Sequence, residues 1–277
     1  MVHFDFSILG LFAVRTEAYF VVSTRPIGRS PNPATAFGRR LRRPARAGRI
    51  QSSEQTKEDT VQTNGSIDAV IPDSQLAREV TQLIRDTEGE LLFNHSARVY
   101  LWGALLGQRR NIVFDPELLY VASMFHDIGL TSAYRDSRLR FEVDGANAAR
   151  DFLRSHRISD ADIEKVWTAV ALHTTPGIPE HMHGEISLVQ AGAGMDVAGR
   201  GFEQFTDEQR AAVVAAYPRE ADFANKMIDA FYDGMKHRPE TTFGTFNDDF
   251  LAHKDPRFVR VNMCSVMLNS RWVCDCH

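Results

Sequence analysis

From Pro72 onward the apolar residues recur at helical spacing nearly throughout, and no run sustains alternation with a period of two. A strand half-buried in a sheet needs that alternation, because its successive side chains point to opposite faces. A helix instead needs apolar residues three and four apart to form one buried stripe. The chain is therefore expected to be all-α, a helical bundle of about seven helices without an internal repeat. Capping signals divide it. Glu90 to Leu106 puts Leu91, Leu92, His95, Val99, Trp102 and Leu106 on one stripe, with Gly107 as the expected stop. Asp115-Pro116-Glu117 joins a cap, a first-turn proline and an acid, and opens a helix through Leu118, Leu119, Ala122 and Phe125 with Gly129 as its stop. Further helices are expected over 144–155, from the Ser159-x-x-Asp162 cap through His173, over 184–198, from Thr206-x-x-Gln209 to Pro218, and over 222–236.

The first part of the chain has a different character. Between Arg15 and Arg49 stand nine arginines, no lysine and the single acid Glu17; that charge of +8 leaves −12 on the rest of a chain whose net charge is −4. The basic character thus belongs to the leader, which argues against a nucleic-acid-binding face on the folded part. Phe6 to Val14 is apolar but too short to span a bilayer, and the arginines follow it where a secretory signal would place them before. Residues 1–65 are expected to be a disordered basic extension, an organelle-targeting leader or the product of a mistranslated upstream exon, with 66–255 as the folded domain and 256–277 as a C-terminal tail. All three cysteines, Cys264, Cys274 and Cys276, lie near the C-terminus and offer no disulfide framework, so a reducing, cytoplasmic setting is the default. Cys274-Asp-Cys276-His277 lacks a second ligand pair and reads as tail.

Three stretches carry chemistry. Phe125-His126-Asp127-Ile-Gly129 closes a helix whose preceding turns are almost wholly apolar, and a buried carboxylate there is costly without a cation or several donors. Adjacent helical residues diverge by about 100°, so His126 and Asp127 reach one ion only if it lies near the helix end. His95 shares the inward stripe of Val99 and Trp102; alone, it reads as a packed core histidine. Asp196 ends the run Ile186 to Met195, with the small residues Gly192 and Ala193 one turn back. Together these imidazoles and carboxylates on three helices favour a divalent transition metal held by nitrogen and oxygen.

His…His-Asp…Asp on a helical bundle resembles the HD-domain superfamily of metal-dependent hydrolases, over about residues 70–255. The resemblance implies one metal bound by His95, His126, Asp127 and Asp196, Zn2+ first, with Fe2+ or Mn2+ as alternatives. Phe93-Asn-His-Ser-x-Arg98-Val-Tyr, His126-Asp-Ile-Gly-Leu-Thr, Arg140-Phe-Glu-Val-Asp-Gly-Ala146 and Val170-Ala-Leu-His-Thr-Thr175 look specifically like the cyanamide hydratase branch, a lyase (hydro-lyase) activity that adds water to a nitrile.

In such an enzyme the ion lowers the pKa of its water to about 7, and the nitrogen anion that develops on attack needs a donor. His173, Thr174 and Thr175 are the candidates, with His173 equally readable as a core histidine. Glu142 and Asp144 are candidate acid–base or supporting groups, Asp144 also as a helix cap; Asn94 either orients a ligand or faces a surface turn. Residues such as Phe93, Trp102, Phe125 and Phe141 are expected to wall a tight apolar pocket, giving Asn94, Phe125 and Thr175 as substrate contacts.

Two rivals come from the same superfamily. A phosphohydrolase for nucleotides or phosphate esters wants cations near the metal; Leu130, Thr131 and Ser132 after the motif are neutral, although Arg135, Arg138 and Arg140 are near in sequence. A dinuclear iron oxygenase would recruit His173 with His181 or His183. The expected partners are a small-molecule substrate and at most further copies of the chain in a homo-oligomer, with no nucleic acid and no membrane.

Overall fold

The structure, a computed structural model, describes residues 69–270; the expectations for residues 1–65 and for Cys274 and Cys276 lie outside the described residues. Among the described residues there are ten α-helices and no strand: α1 (Gln75–Thr87), α2 (Glu90–Arg110), α3 (Pro116–Phe125), α4 (Phe141–Ser155), α5 (Asp160–Leu172), α6 (Gly184–Ala198), α7 (Asp207–Ala216), α8 (Phe223–Met235), α9 (Asn247–Lys254) and α10 (Met263–Leu268). None of them is long and apolar enough to cross a membrane.

The caps sit where the sequence places them. Asp115 Oδ1 accepts from the amides of Glu117 at 2.8 Å and Leu118 at 3.1 Å. Ser159 Oγ accepts from the Asp162 amide at 3.2 Å. Thr206 and Gln209 exchange side-chain and backbone bonds in a capping box, which satisfies two of the amides that a helix start leaves without partners.

Other boundaries differ. α2 runs through Gly107 to Arg110 and stops at Asn111, which takes the left-handed conformation at φ 53°. α4 begins at Phe141, three residues before the expected start, so Asp144 lies in its first turn instead of capping it. The Asp144 carboxylate accepts from Ser137 Oγ at 2.8 Å and from Arg238. Three helices had no sequence assignment: α1, α9 and α10.

α2 is the axis of the fold, buried on every side from Leu92 to Gly107. It packs on α3 and α6, with α1, α7 and α8 completing its surroundings. A helix buried all round carries no amphipathic signature, and its polar residues Asn94, His95, Ser96 and Arg98 are as buried as its leucines. α6 lies against it closely enough that a Cβ on Gly192 would run into the Val99 carbonyl oxygen.

A second apolar cluster, with Phe223, Met227, Phe231 and Met235 of α8 and Leu251 of α9, packs on Leu92, Leu130 and Phe141. Arg238, wholly buried after α8, ties this layer to the segment following α3. It donates to the carbonyls of Leu139 at 2.9 Å and Gly129 at 2.6 Å and pairs with Asp144.

Candidate metal centre

α3 ends at Phe125, and the chain leaves the helix across the two residues of interest. His126 is still helical (φ −62°, ψ −33°), whereas Asp127 is not (φ −109°, ψ 1°). That departure, in the sparsely populated region between helix and extended backbone, turns two adjacent side chains toward one point. Gly129 serves the same end by close approach: a Cβ there would collide with the Phe141 carbonyl at the start of α4. It is not a left-handed helix stop, because it lies within a 3₁₀ turn, Ile128–Leu130.

His95, from the first turns of α2, meets this pair. His95 Nε2 lies 3.1 Å from His126 Nε2 and 3.4 Å from Asp127 Oδ2, and His126 Nε2 is 3.3 Å from the same oxygen. All three side chains are buried. From the end of α5, His173 brings its Nε2 to 3.5 Å from Asp127 Oδ1.

The far side of each ring fixes its tautomer. His95 Nδ1 is 2.7 Å from Asp196 Oδ2, His126 Nδ1 is 2.6 Å from the Ser123 carbonyl, and His173 Nδ1 is 2.7 Å from the Val170 carbonyl. A carboxylate and two carbonyls can only accept, so each Nδ1 carries the hydrogen and each Nε2 presents a lone pair. Three Nε2 lone pairs thus face Asp127, whose two oxygens have no hydrogen-bond partner and are fully buried; His173 Nε2 has none either. Acceptors crowd together without a donor, which is unfavourable until a cation stands among them.

The spacing agrees with this. Ligand atoms about 2.0–2.1 Å from an ion at tetrahedral angles stand about 3.3 Å apart, against 3.1, 3.3 and 3.4 Å for His95, His126 and Asp127. The donor set fits a divalent ion.

Without a cation the same crowding appears as opposed titrations. Burial alone would raise Asp127, but the imidazoles of His126, His173 and His95 around it hold it well below the carboxylate range. Burial alone would lower His126, and Asp127 more than reverses that. For His95 burial prevails over Asp196, and its pKa falls.

Asp196 is not brought to this point. Its Oδ1 accepts from Arg98 Nε at 2.8 Å and Trp102 Nε1 at 2.9 Å, and its Oδ2 from Arg98 NH2 at 2.9 Å as well as from His95. Arg219 adds a bond at 3.3 Å. Both oxygens are therefore engaged behind His95, where the carboxylate sets the ring's tautomer and orientation. The reason is its helix face: one turn from Gly192, Asp196 shares the side of α6 pressed on α2. The opposite side, with Gln190, Ala193, Gly194 and Val197, lines the same cavity as His95, His126 and Asp127.

That cavity has a volume of about 360 Å³. His95, His126, Asp127, His173 and Thr174 form its polar end, and Phe231, Phe246 and Phe250 supply its aromatic lining. Of the four expected wall residues, Phe141 alone touches the site, its ring 5.6 Å from that of His173. Phe125 packs on Phe152 at 5.4 Å, Phe93 on Tyr217 at 6.4 Å, and Trp102 serves Asp196.

Asn94 points to the Pro218 carbonyl at 3.5 Å, and Thr175, half-buried, does not line the cavity. Glu142 is buried and fully used, accepting from Arg140 at 2.7 Å, Asn247 at 2.8 Å and the Thr174 hydroxyl. It positions Thr174 and does not line the cavity. Burial would raise its pKa, but the bond and charge of Arg140 lower it. His181 and His183 are exposed and line no part of the cavity, so the second ion of a dinuclear centre has no ligands there.

Gln190 and the three phenylalanines were missed. Gln190 had a legible signal, a lone amide in the otherwise apolar and small run of α6; the phenylalanines had none, because their elements pack on the site from far along the chain. Residues 92–215, from the first turn of α2 through nearly all of α7, match the HD domain family. No curated protein matches the chain.

Proposed function

We propose, from the HD domain at residues 92–215, that this protein is a metal-dependent hydratase that adds water to cyanamide or a similar small nitrile-like substrate. The observation that supports this reading is the convergence of the Nε2 atoms of His95, His126 and His173 on the Asp127 carboxylate, whose two buried oxygens have no hydrogen-bond partner. They stand at one end of a cavity whose lining holds no lysine and a single, exposed arginine, Arg200. Such a lining suits a neutral substrate.

A divalent ion held by His95, His126 and Asp127 supplies hydroxide at neutral pH when bound, by lowering the pKa of water to about 7. His173 Nε2, 3.5 Å from Asp127 Oδ1, takes the proton that the water sheds and returns it to the nitrile nitrogen as the oxygen bonds to the nitrile carbon. Both protons of the water end on nitrogen and its oxygen on carbon, so an amide, or urea from cyanamide, forms and no group leaves. The Gln190 amide lines the cavity as a neutral donor for the nitrogen while it carries negative charge. Thr174 gives its hydroxyl proton to Glu142 and so offers lone pairs to an amino group such as that of cyanamide.

A phosphohydrolase is the second reading, and Arg200 on the cavity lining is what favours it. Arg138 and Arg140 do not help it, since Arg138 donates to the His237 carbonyl and Arg140 is paired with Glu142. The test is a panel of cyanamide, small nitriles, isonitriles and nucleotides given to the metal-loaded full-length chain, assayed for urea or amide, ammonia and phosphate. Urea or amide formation that is lost in His126→Ala is expected. Phosphate release without any hydration product would overturn the proposal.

A further inference from the structure

Cyanamide is too small for the cavity that receives it. Three heavy atoms fill roughly the space of three waters, about 90 Å³, against a cavity of about 360 Å³. The remainder lies away from His95, His126 and Asp127 and is mainly apolar. Phe231 and Phe250 stack there with ring centroids 4.5 Å apart and planes 5° from parallel, and Phe246 meets Phe250 at 6.3 Å and 73°. From α6 the same space is lined by Ala193, Gly194 and Val197, none of which projects far.

Core packing accounts for Phe231, which is buried among Phe141, Met227 and Leu251. It does not account for Phe246, which leaves 40% of its surface open, or for Val197 at 38%. Large apolar groups lining a cavity and left uncovered mark a ligand surface. Two charged residues share this lining: Asp249, which is paired with Arg260, and the exposed Arg200.

We infer that the physiological substrate carries a flat apolar group, of the size of an aromatic ring, seated between the Phe231–Phe246–Phe250 cluster and the small-residue face of α6, with its reacting nitrile at His95, His126 and Asp127. The inference rests on the hydration reading for the identity of the reacting group and stands on the cavity alone for the ring. It makes the protein an aryl- or arylalkyl-nitrile hydratase, whose turnover of cyanamide is that of a truncated substrate. Since binding energy from the non-reacting part of a substrate is used to position the reacting part, the ring should improve turnover as well as affinity.

The test separates binding from chemistry. Calorimetry on the metal-loaded full-length chain compares acetamide with benzamide, the hydration products of acetonitrile and benzonitrile, and kinetics compare the two nitriles. A single added methylene in an apolar pocket is worth about 10–200-fold, so benzamide should bind at least about 30-fold tighter than acetamide. Phe246→Ser should cut that ratio by about 10-fold or more. Phe246→Leu, which keeps the helix and its packing, should cut it by less, and Ala193→Leu should remove it by filling the space. A ratio near one, or a ratio untouched by all three variants, overturns the inference whether or not cyanamide is turned over. Tight benzamide binding that depends on Phe246, without hydration of either nitrile, upholds the ring site while sinking the hydratase reading.

Discussion

Arg98 grips both oxygens of Asp196, Nε to Oδ1 at 2.8 Å and NH2 to Oδ2 at 2.9 Å, and the carboxylate so held receives His95 Nδ1 at 2.7 Å. Arg98 is wholly buried, and its remaining donors go to the carbonyls of Tyr217 at 3.1 Å and Pro218 at 2.9 Å. His95, one of the cavity's histidines, is thus oriented by a buried ion pair that also anchors the end of α7. Both Asp196 oxygens are engaged on the side of His95 away from His126 and Asp127.

That relationship separates two kinds of loss. His126→Ala removes a lone pair from the metal-binding set and should abolish stoichiometric metal binding. Asp196→Asn should still bind one ion per chain, with affinity lower by about 10–100-fold, the usual effect of removing a ligand's supporting partner. Metal titration of the two variants, read by calorimetry, checks this; complete loss of the ion in Asp196→Asn would make Asp196 a ligand.

Arg238 and Asp144 form the second buried pair, and removing one member strands the other. Arg238→Ala should destabilise the protein by about 3–5 kcal/mol, because Asp144 keeps only Ser137 and the carbonyls of Gly129 and Leu139 lose the guanidinium. Urea denaturation measures it. Because Gly129 follows the metal-binding pair, the same variant should also weaken metal binding; a change under 1 kcal/mol would mean that water replaces the guanidinium.

Glu88 is buried, with Oε1 lacking any partner and Oε2 3.4 Å from Ser96 Oγ. Burial, and then the negative charge of Asp127, push its pKa well above the ordinary carboxylate value. A raised pKa means that the fold favours the protonated acid. Its stabilising contribution is therefore complete below the unfolded pKa of about 4.3 and is lost as pH rises through the folded value. Glu88→Gln should match wild type in thermal stability near pH 4 and exceed it increasingly toward pH 8. A stability difference constant across that range would refute the assignment.

Gln190 provides the kinetic prediction. If its amide stabilises charge that develops only during reaction, Gln190→Ala should lower kcat by about 10²–10³ and leave KM and metal affinity nearly unchanged. A rise in KM alone would make it a binding contact instead.

The sequence was most informative where function and local chain geometry coincide. Asp115, Ser159 and Thr206 cap their helices because a cap is decided within four residues. His126 and Asp127 were legible because two adjacent polar residues close an apolar helix; His95 alone read as a packed core histidine and became a candidate only beside them. The reading failed where a helix face had to be chosen. Asp196 and Gln190 lie on one helix of small and apolar residues, with no amphipathic pattern to say which side meets α2.

Composition and periodicity by themselves determined that the chain from Pro72 onward is helical, where most of those helices begin, and that His126 and Asp127 close an apolar helix together. Only the tertiary structure decided that Asp196 supports His95 from behind, that Phe231, Phe246 and Phe250 line the cavity, and that Phe125 and Trp102 do not. Caps and stripes are set by bonds and spacings within one or two turns. The orientation of α6 and the approach of α8 and α9 are set by packing against elements distant in the chain, such as Gly192 on Val99 and Asn247 on Glu142, and no local pattern encodes that.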